Sequence, residues 1–290
     1  MSFDLTGTGI WSGQLRYGDA AQVAEAAAEL EEMGWSALWV PDVGGDVFAA
    51  LRNLLSATST VAVATGILNI WMHGADETAV EHARLTADHG DRLLLGLGVS
   101  HRPLIDRVNE PGTYRQPLAR MLEFLDELDA ADPPLAADRR ALAALGPKML
   151  ELARERTAGT HPYLVTPLHT QRAREALGPD GLVAPEQGVV LDTDPATARA
   201  TGRQHLSRYM ELPNYVNNWR RFGIEDEDLA DGGSDRLVDT LVAWGDESAI
   251  AARVQEHRDA GADHVCVQVL TDQPAELPRQ EWRALAPALT

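Results

Sequence analysis

Cysteine is almost absent from this 290-residue chain: Cys266 stands alone, so no intrachain disulfide can form. It sits within an apolar run, where a thiol is an inert core group. Lysine is as scarce, with Lys148 the only one among 25 basic residues. No stretch approaches ~18 uncharged apolar residues, so no membrane-spanning helix is expected. The first residues, MSFDLTGTGIW, lack the basic start and apolar run of a signal peptide, and a cytoplasmic protein is expected. Positive charge is in deficit, 25 basic against 44 acidic residues for a net of −19. Such a chain repels phosphate backbones, which argues against nucleic acid as a partner, although a single pocket can still be locally positive. No His-x-x-x-His, paired-aspartate or Gly-x-Ser-x-Gly motif occurs, and His161 and His169 are not spaced as ligands on one helix face. Metal and serine hydrolysis are therefore not expected, and no metal site is assigned.

What is present is a rhythm. Short apolar runs at 7–11, 36–40, 61–67, 92–98, 140–145, 161–165, 188–191 and 264–269 alternate with amphipathic stretches. The first such stretch, 19–33, carries Val23, Ala26, Ala27, Leu30 and Met33 at three-to-four spacing and stops at Gly34, as a helix does. Eight strands alternating with helices predict a parallel sheet, and runs that are apolar throughout predict strands covered on both faces. The spacing and total length predict a TIM-like (β/α)8 barrel, one domain over 1–290. The rhythm breaks at about 211–260, where Tyr215, Trp219, Phe222 and Trp244 occur without a strand pattern; this reads as a helical insertion before the last strand. An open doubly wound sheet is the competing architecture, but no Gly-x-Gly-x-x-Gly follows the first strand.

In such a barrel, chemistry gathers where strands end at their carboxyl side. The residues there include Trp11, Asp42, Gly66, Ile67, Asn69, Val99, Ser100, His101, Gly146, Lys148 and His161. Acids and bases are few, which suits a cofactor carrying its own reactivity. Gly66, closing the third run, lets backbone press against a flat ring, or it is a plain strand-ending turn. His101, after Gly96-Leu97-Gly98, is the best-placed titratable group, or a satisfied loop residue. Leu145-Gly146-Pro147-Lys148 offers free N–H groups of a helix start and the one lysine to a phosphate, or is a routine helix start. Trp11 walls a pocket or plugs the barrel.

Several segments, in this order, resemble the luciferase-like monooxygenase family, and its branch using the deazaflavin coenzyme F420 in particular. They are Gly34-Trp35-Ser36-Ala37-Leu38-Trp39-Val40-Pro41-Asp42, Val63-Ala64-Thr65-Gly66-Ile67-Leu68-Asn69, Asp91-Arg92-Leu93-Leu94-Leu95-Gly96-Leu97-Gly98, the stretch 143–153, and Gly159-Thr160-His161-Pro162-Tyr163-Leu164. The resemblance implies a barrel with a flavin or deazaflavin in its mouth and a non-proline cis peptide at Gly66-Ile67. It implies cofactor contacts from Asp42, Gly66, Ile67, Asn69, Val99, Ser100, Ala144, Leu145 and Gly146. Several F420 dehydrogenases place His after the strand-two Asp and Glu in the strand-four loop; here Val43 and His101 stand there. The reading is hydride transfer between F420 and a small organic substrate, in a reductase that works as a homodimer, with His101 as candidate proton donor. The alternatives are an FMN-dependent monooxygenase and a non-catalytic ligand-binding barrel.

Overall fold

The computed structural model describes residues 5–110 and 112–290. Its strands are β1 (Gly7–Trp11), β2 (Ala37–Val40), β3 (Ala62–Thr65), β4 (Leu68–Asn69), β5 (Leu93–Gly98), β6 (Arg140–Leu142), β7 (Gly159–Thr160), β8 (Leu182–Val183), β9 (Glu186–Val190), β10 (Val242–Trp244) and β11 (His264–Val269). Every pairing between them is parallel, and the main order is β10-β9-β11-β1-β2-β3-β5-β6-β7-β8. β8 and β9 form one stave bent at Pro185: β8 pairs with β7, and β9 pairs with β11. The amides of Asp263 and Cys266 donate to the carbonyls of Val183 and Pro185 across the same edge, which closes the sheet on itself. The TIM-like barrel is thus borne out.

The staves are mostly apolar because alternate residues face two covered layers, with Arg140, Glu186, Gln187, His264 and Gln268 among the polar exceptions. Trp11, Ala37, Trp39, Ala64, Leu94, Ala141, Ala184 and Cys266 pack together inside the barrel. Their neighbours Leu38, Val40, Val63, Leu93, Leu95 and Val267 pack outward on the helices. The alanines leave room for the indole of Trp39, which stacks on His161 at 4.1 Å between centroids and donates to His264 Nε2 at 3.1 Å. Helices begin where an aspartate caps free amides: Asp19 accepts from Ala21 and Gln22 ahead of Ala20–Glu32, and Asp46 from Ala49 ahead of Val47–Ala57.

Two expectations need correction. The sixth run forms a strand only at Gly159–Thr160, so 161–165 lies beyond the strand, at the mouth. The segment 211–260 is not purely helical. It contains β10, which pairs with β9, and its helix Glu247–Asp259 belongs to the outer layer through Ile250 and Val254. Tyr215 and Trp219 of this segment are buried in a second core with Leu237, Val238 and Leu241, because Trp219 Nε1 donates to Leu164 O at 3.0 Å and draws the helix Pro213–Arg221 over the barrel. No helix among the described residues is long and apolar enough to cross a membrane.

Candidate functional site

The carboxyl ends of the staves converge on a central slot of about 170 Å³. Its floor is the peptide Gly66-Ile67, which is cis. Trp11 Nε1 donates to Gly66 O at 3.0 Å. A methyl group on Gly66 would come within 2.4 Å of Trp11 Nε1 and 2.7 Å of His161 Nε2, so only glycine fits. His161 Nδ1 bonds Ala184 O at 2.7 Å, which leaves Nε2, without a partner, facing Gly66. Burial holds its pKa down to about 4, so the ring is neutral at pH 7. On the other side Gly98 admits Ile67, whose Cγ1 would lie 2.5 Å from an added methyl.

Asp42, 3% exposed, lies at the next stave end. Its Oδ2 accepts from Asn69 N at 3.1 Å and from His73 Nε2 at 2.9 Å, and its Oδ1 has no partner. Asn69 itself is buried, with its side-chain oxygen accepting from Trp71 N, and it orders Asp42 rather than lining the slot. Ser100, at φ 52°, turns the chain after β5 so that His101 faces the slot. His101 Nδ1 lies 3.1 Å from Asn214 Oδ1 and its ring 5.2 Å from that of Tyr215, both from the helix Pro213–Arg221. Burial lowers the pKa of His101, an effect opposed by the Asn214 bond.

From the slot a larger cavity, about 510 Å³, runs past Val99, Leu145 and Gly146 to Lys148 and Arg221. Pro147 opens the helix Pro147–Arg156 at the edge of this cavity, but two amides of its first turn, Met149 N and Leu150 N, already donate to Gly146 O at 3.1 and 3.0 Å. Ala144 does not face it: its side chain packs with Leu150, Ala173, Leu177 and Val183 behind the wall. A third cavity, about 680 Å³, opens on the opposite flank of Trp11. The slot shares wall residues with both, so the three cavities adjoin at the barrel mouth. Of the residues expected at the mouth from the sequence, all but Asn69 and Ala144 line it.

Sequence reasoning missed the hydrogen-bonding centre of this mouth. Tyr163 Oη donates to Gln268 Oε1 at 2.7 Å and lies 3.1 Å from Tyr209 Oη and 3.2 Å from His205 Nε2. His205 is therefore a wall group of the large cavity, and His82 is buried against Leu93 O. His73 was missed because a histidine in a loop has no pattern; its pairing with Asp42 exists only in three dimensions. The signals available for Tyr163 were its place in the family-resembling segment 159–164 and its position two residues after His161.

Beneath the tyrosines Glu186 is fully buried; Oε2 accepts from Leu164 N at 3.0 Å, Oε1 has no partner, and burial raises its pKa to about 8. The native state therefore holds a proton there that the unfolded chain, with a carboxyl near 4.5, releases, so stability falls as pH rises toward 8. Four buried histidines act oppositely. His161 and His169 are held to about 4, and His257 and His264 to about 3, so their contribution is complete above 6.5 and lost below it. Stability should peak near pH 6.5 and lose about 2 kcal/mol by pH 8. In Glu186→Gln that alkaline decline should vanish in urea unfolding at pH 6.5 and 8; an unchanged slope in the variant would refute the assignment.

Among the described residues no group of three or more His, Cys, Asp or Glu could hold a metal ion. The luciferase-like monooxygenase family model matches residues 2–132, which bears out the resemblance read from the sequence. A Mycobacterium tuberculosis protein bearing the name of a coenzyme F420-dependent oxidoreductase is 27% identical over 88% of this chain and 92% of its own length. Among solved structures, the coenzyme F420-dependent tetrahydromethanopterin reductase of Methanopyrus kandleri superposes with a TM-score of 0.75 at 17% identity, over 98% of this chain and 99% of that one. An F420-dependent secondary alcohol dehydrogenase in complex with an F420-acetone adduct gives 0.70 at 16%, over 97% and 99%. The oxygenating constituent of a 3,6-diketocamphane monooxygenase from Pseudomonas putida, in complex with FMN, gives 0.67 at 15%, over 99% and 96%. At these identities the structures establish the shared fold.

Proposed function

We propose that this chain is a coenzyme F420-dependent oxidoreductase, working as a reductase on a small organic molecule. The observation that carries the reading is the glycine-floored slot at Gly66-Ile67, open on one side to a cavity that ends at Lys148 and Arg221. The slot suits a planar ring, because Gly66, Gly98 and the stave ends remove every Cβ that would intrude. The cavity suits the phosphorylated tail such a coenzyme carries: two cations, Lys148 and Arg221, meet an anion there. The deazaflavin, when bound, supplies the hydride.

The chain's own residues do the rest. Trp11 holds the Gly66 carbonyl, and so the floor, in place. Neutral His161 offers no positive charge behind it. Asp42, oriented by Asn69 N and His73, keeps one oxygen free for a ring substituent. His101, held by Asn214, stands at the rim as the proton source. FMN is the alternative cofactor, favoured by the likeness to the diketocamphane monooxygenase component. Titration of the purified protein separates the two: F420 fluorescence should change with saturable, micromolar or tighter binding. Tight FMN binding with no response to F420 would reject the proposal.

A further inference from the structure

We propose that the 680 Å³ cavity is a binding site for an organic anion, and that the substrate carries a carboxylate or phosphate group there. The inference rests on the oxidoreductase reading for calling that anion the substrate, but its physical basis is separate. The protein carries 44 acidic residues and a net charge of −19, yet not one Asp or Glu lines this cavity. Two arginines do: Arg107, near the end of the helix Arg102–Val108, and Arg208, just beyond the helix Pro195–Leu206.

Most arginines of the described chain are held by a carboxylate. Arg139 has Asp91, Arg140 has Asp129, Arg174 has Asp263, Arg199 has Asp239 and Arg279 has Glu29. No ion pair involves Arg107 or Arg208 among the described residues, and both are exposed at the cavity wall. The remaining polar wall is neutral: Gln14, Gln204, Gln268, Thr201 and Thr271 offer hydrogen bonds without charge, and His205 is kept neutral by burial and by Arg208. An acidic protein that keeps its carboxylates out of this cavity, as it does out of the one at Lys148 and Arg221, and places two unpaired guanidinium groups in its wall, has built a local positive potential that selects anions. The cavity meets the slot along Trp11, Pro41 and Val43, on the side away from Lys148 and Arg221, so an anion held here leaves its organic part at the slot.

Three probes of one size test this in cofactor-free protein at constant ionic strength: benzoate, phenyl phosphate and neutral benzamide. Trp11, in the cavity wall, reports binding by fluorescence, and calorimetry confirms it. Benzoate or phenyl phosphate should bind on the order of tenfold more tightly than benzamide. The better of the two identifies the anion. The preference should fall steeply in the double variant Arg107→Gln/Arg208→Gln, to what the Lys148 and Arg221 cavity alone supplies, and stay largely intact in Arg221→Gln, which alters only that other cavity. Equal binding of all three probes, a preference untouched by the double variant, or its loss in Arg221→Gln instead would overturn the proposal. F420 titration of the same proteins keeps the two readings apart. F420 bound without anion preference sinks this inference alone, whereas anion preference without F420 binding sinks the proposed function and leaves the anion site standing.

Discussion

A Gly66→Ala variant should lose F420 affinity by on the order of 100-fold, with activity falling in parallel. The added methyl would sit 2.4 Å from Trp11 Nε1 and 2.7 Å from His161 Nε2. Neither partner can yield easily. Trp11 is tied to the Gly66 carbonyl, and His161 is wedged between Trp39 and Ala184 O inside the barrel. The methyl must therefore displace the floor or project into the slot, by about the ångström that costs a planar ligand its fit. Overpacking of this kind lowers stability by ~1–3 kcal/mol, too little to unfold most domains, so a folded variant that does not bind is the expected result. Fluorescence titration measures it, with circular dichroism as the check on folding. A folded Gly66→Ala protein that binds F420 as tightly as the wild type would show that the ring does not lie on this peptide.

The second large effect belongs to His101. Replacing it with Gln should lower kcat by on the order of 10²-fold and leave F420 affinity within about twofold, since the loss is of a proton donor at the rim. The pH profile carries the diagnosis. Burial holds the imidazole below its usual 6.5, so the donating imidazolium is the minor form at neutral pH and kcat should fall as pH rises from 5 to 8. That dependence should vanish in His101→Gln. In Asn214→Ala it should move to lower pH, because the bond to Nδ1 that favours the charged ring is gone. Tyr163→Phe is the control: the Tyr163 hydroxyl also reaches the slot, but burial raises its pKa well above 10 and it is bonded to Gln268. If His101→Gln keeps the wild-type rate and profile while Tyr163→Phe loses both, the tyrosine network is the proton source.

The legible part of the site was the part made of single stave ends. Trp11, Asp42 and Gly66 each close or follow an apolar run, and the barrel geometry brings every such end to one rim whatever the side chains are. The pairings at that rim were not legible. His73 reaches Asp42 from 31 positions away, Asn214 reaches His101 from 113, and His205 meets Tyr163 from 42. No periodicity records such distances, because each contact is set by how two independent elements pack. Ala144 shows the reverse error: it stands in a stretch resembling a cofactor-binding loop, but its side chain is taken up by the helix layer.

By itself the amino-acid sequence determined the alternation of staves and helices, since continuous apolar runs demand cover on both faces and capped amphipathic stretches supply it. It also determined where the glycines stand, and therefore where backbone alone can face a ligand. Tertiary structure decided that β8 and β9 are one bent stave, that the segment after Leu206 lends β10 to the sheet, and that Tyr215 and Trp219 roof the barrel instead of facing water. It also decided which charges remain free. An arginine looks the same in a sequence whether or not it has a carboxylate beside it, and only the folded chain leaves Arg107 and Arg208 without one at the wall of an otherwise uncharged cavity.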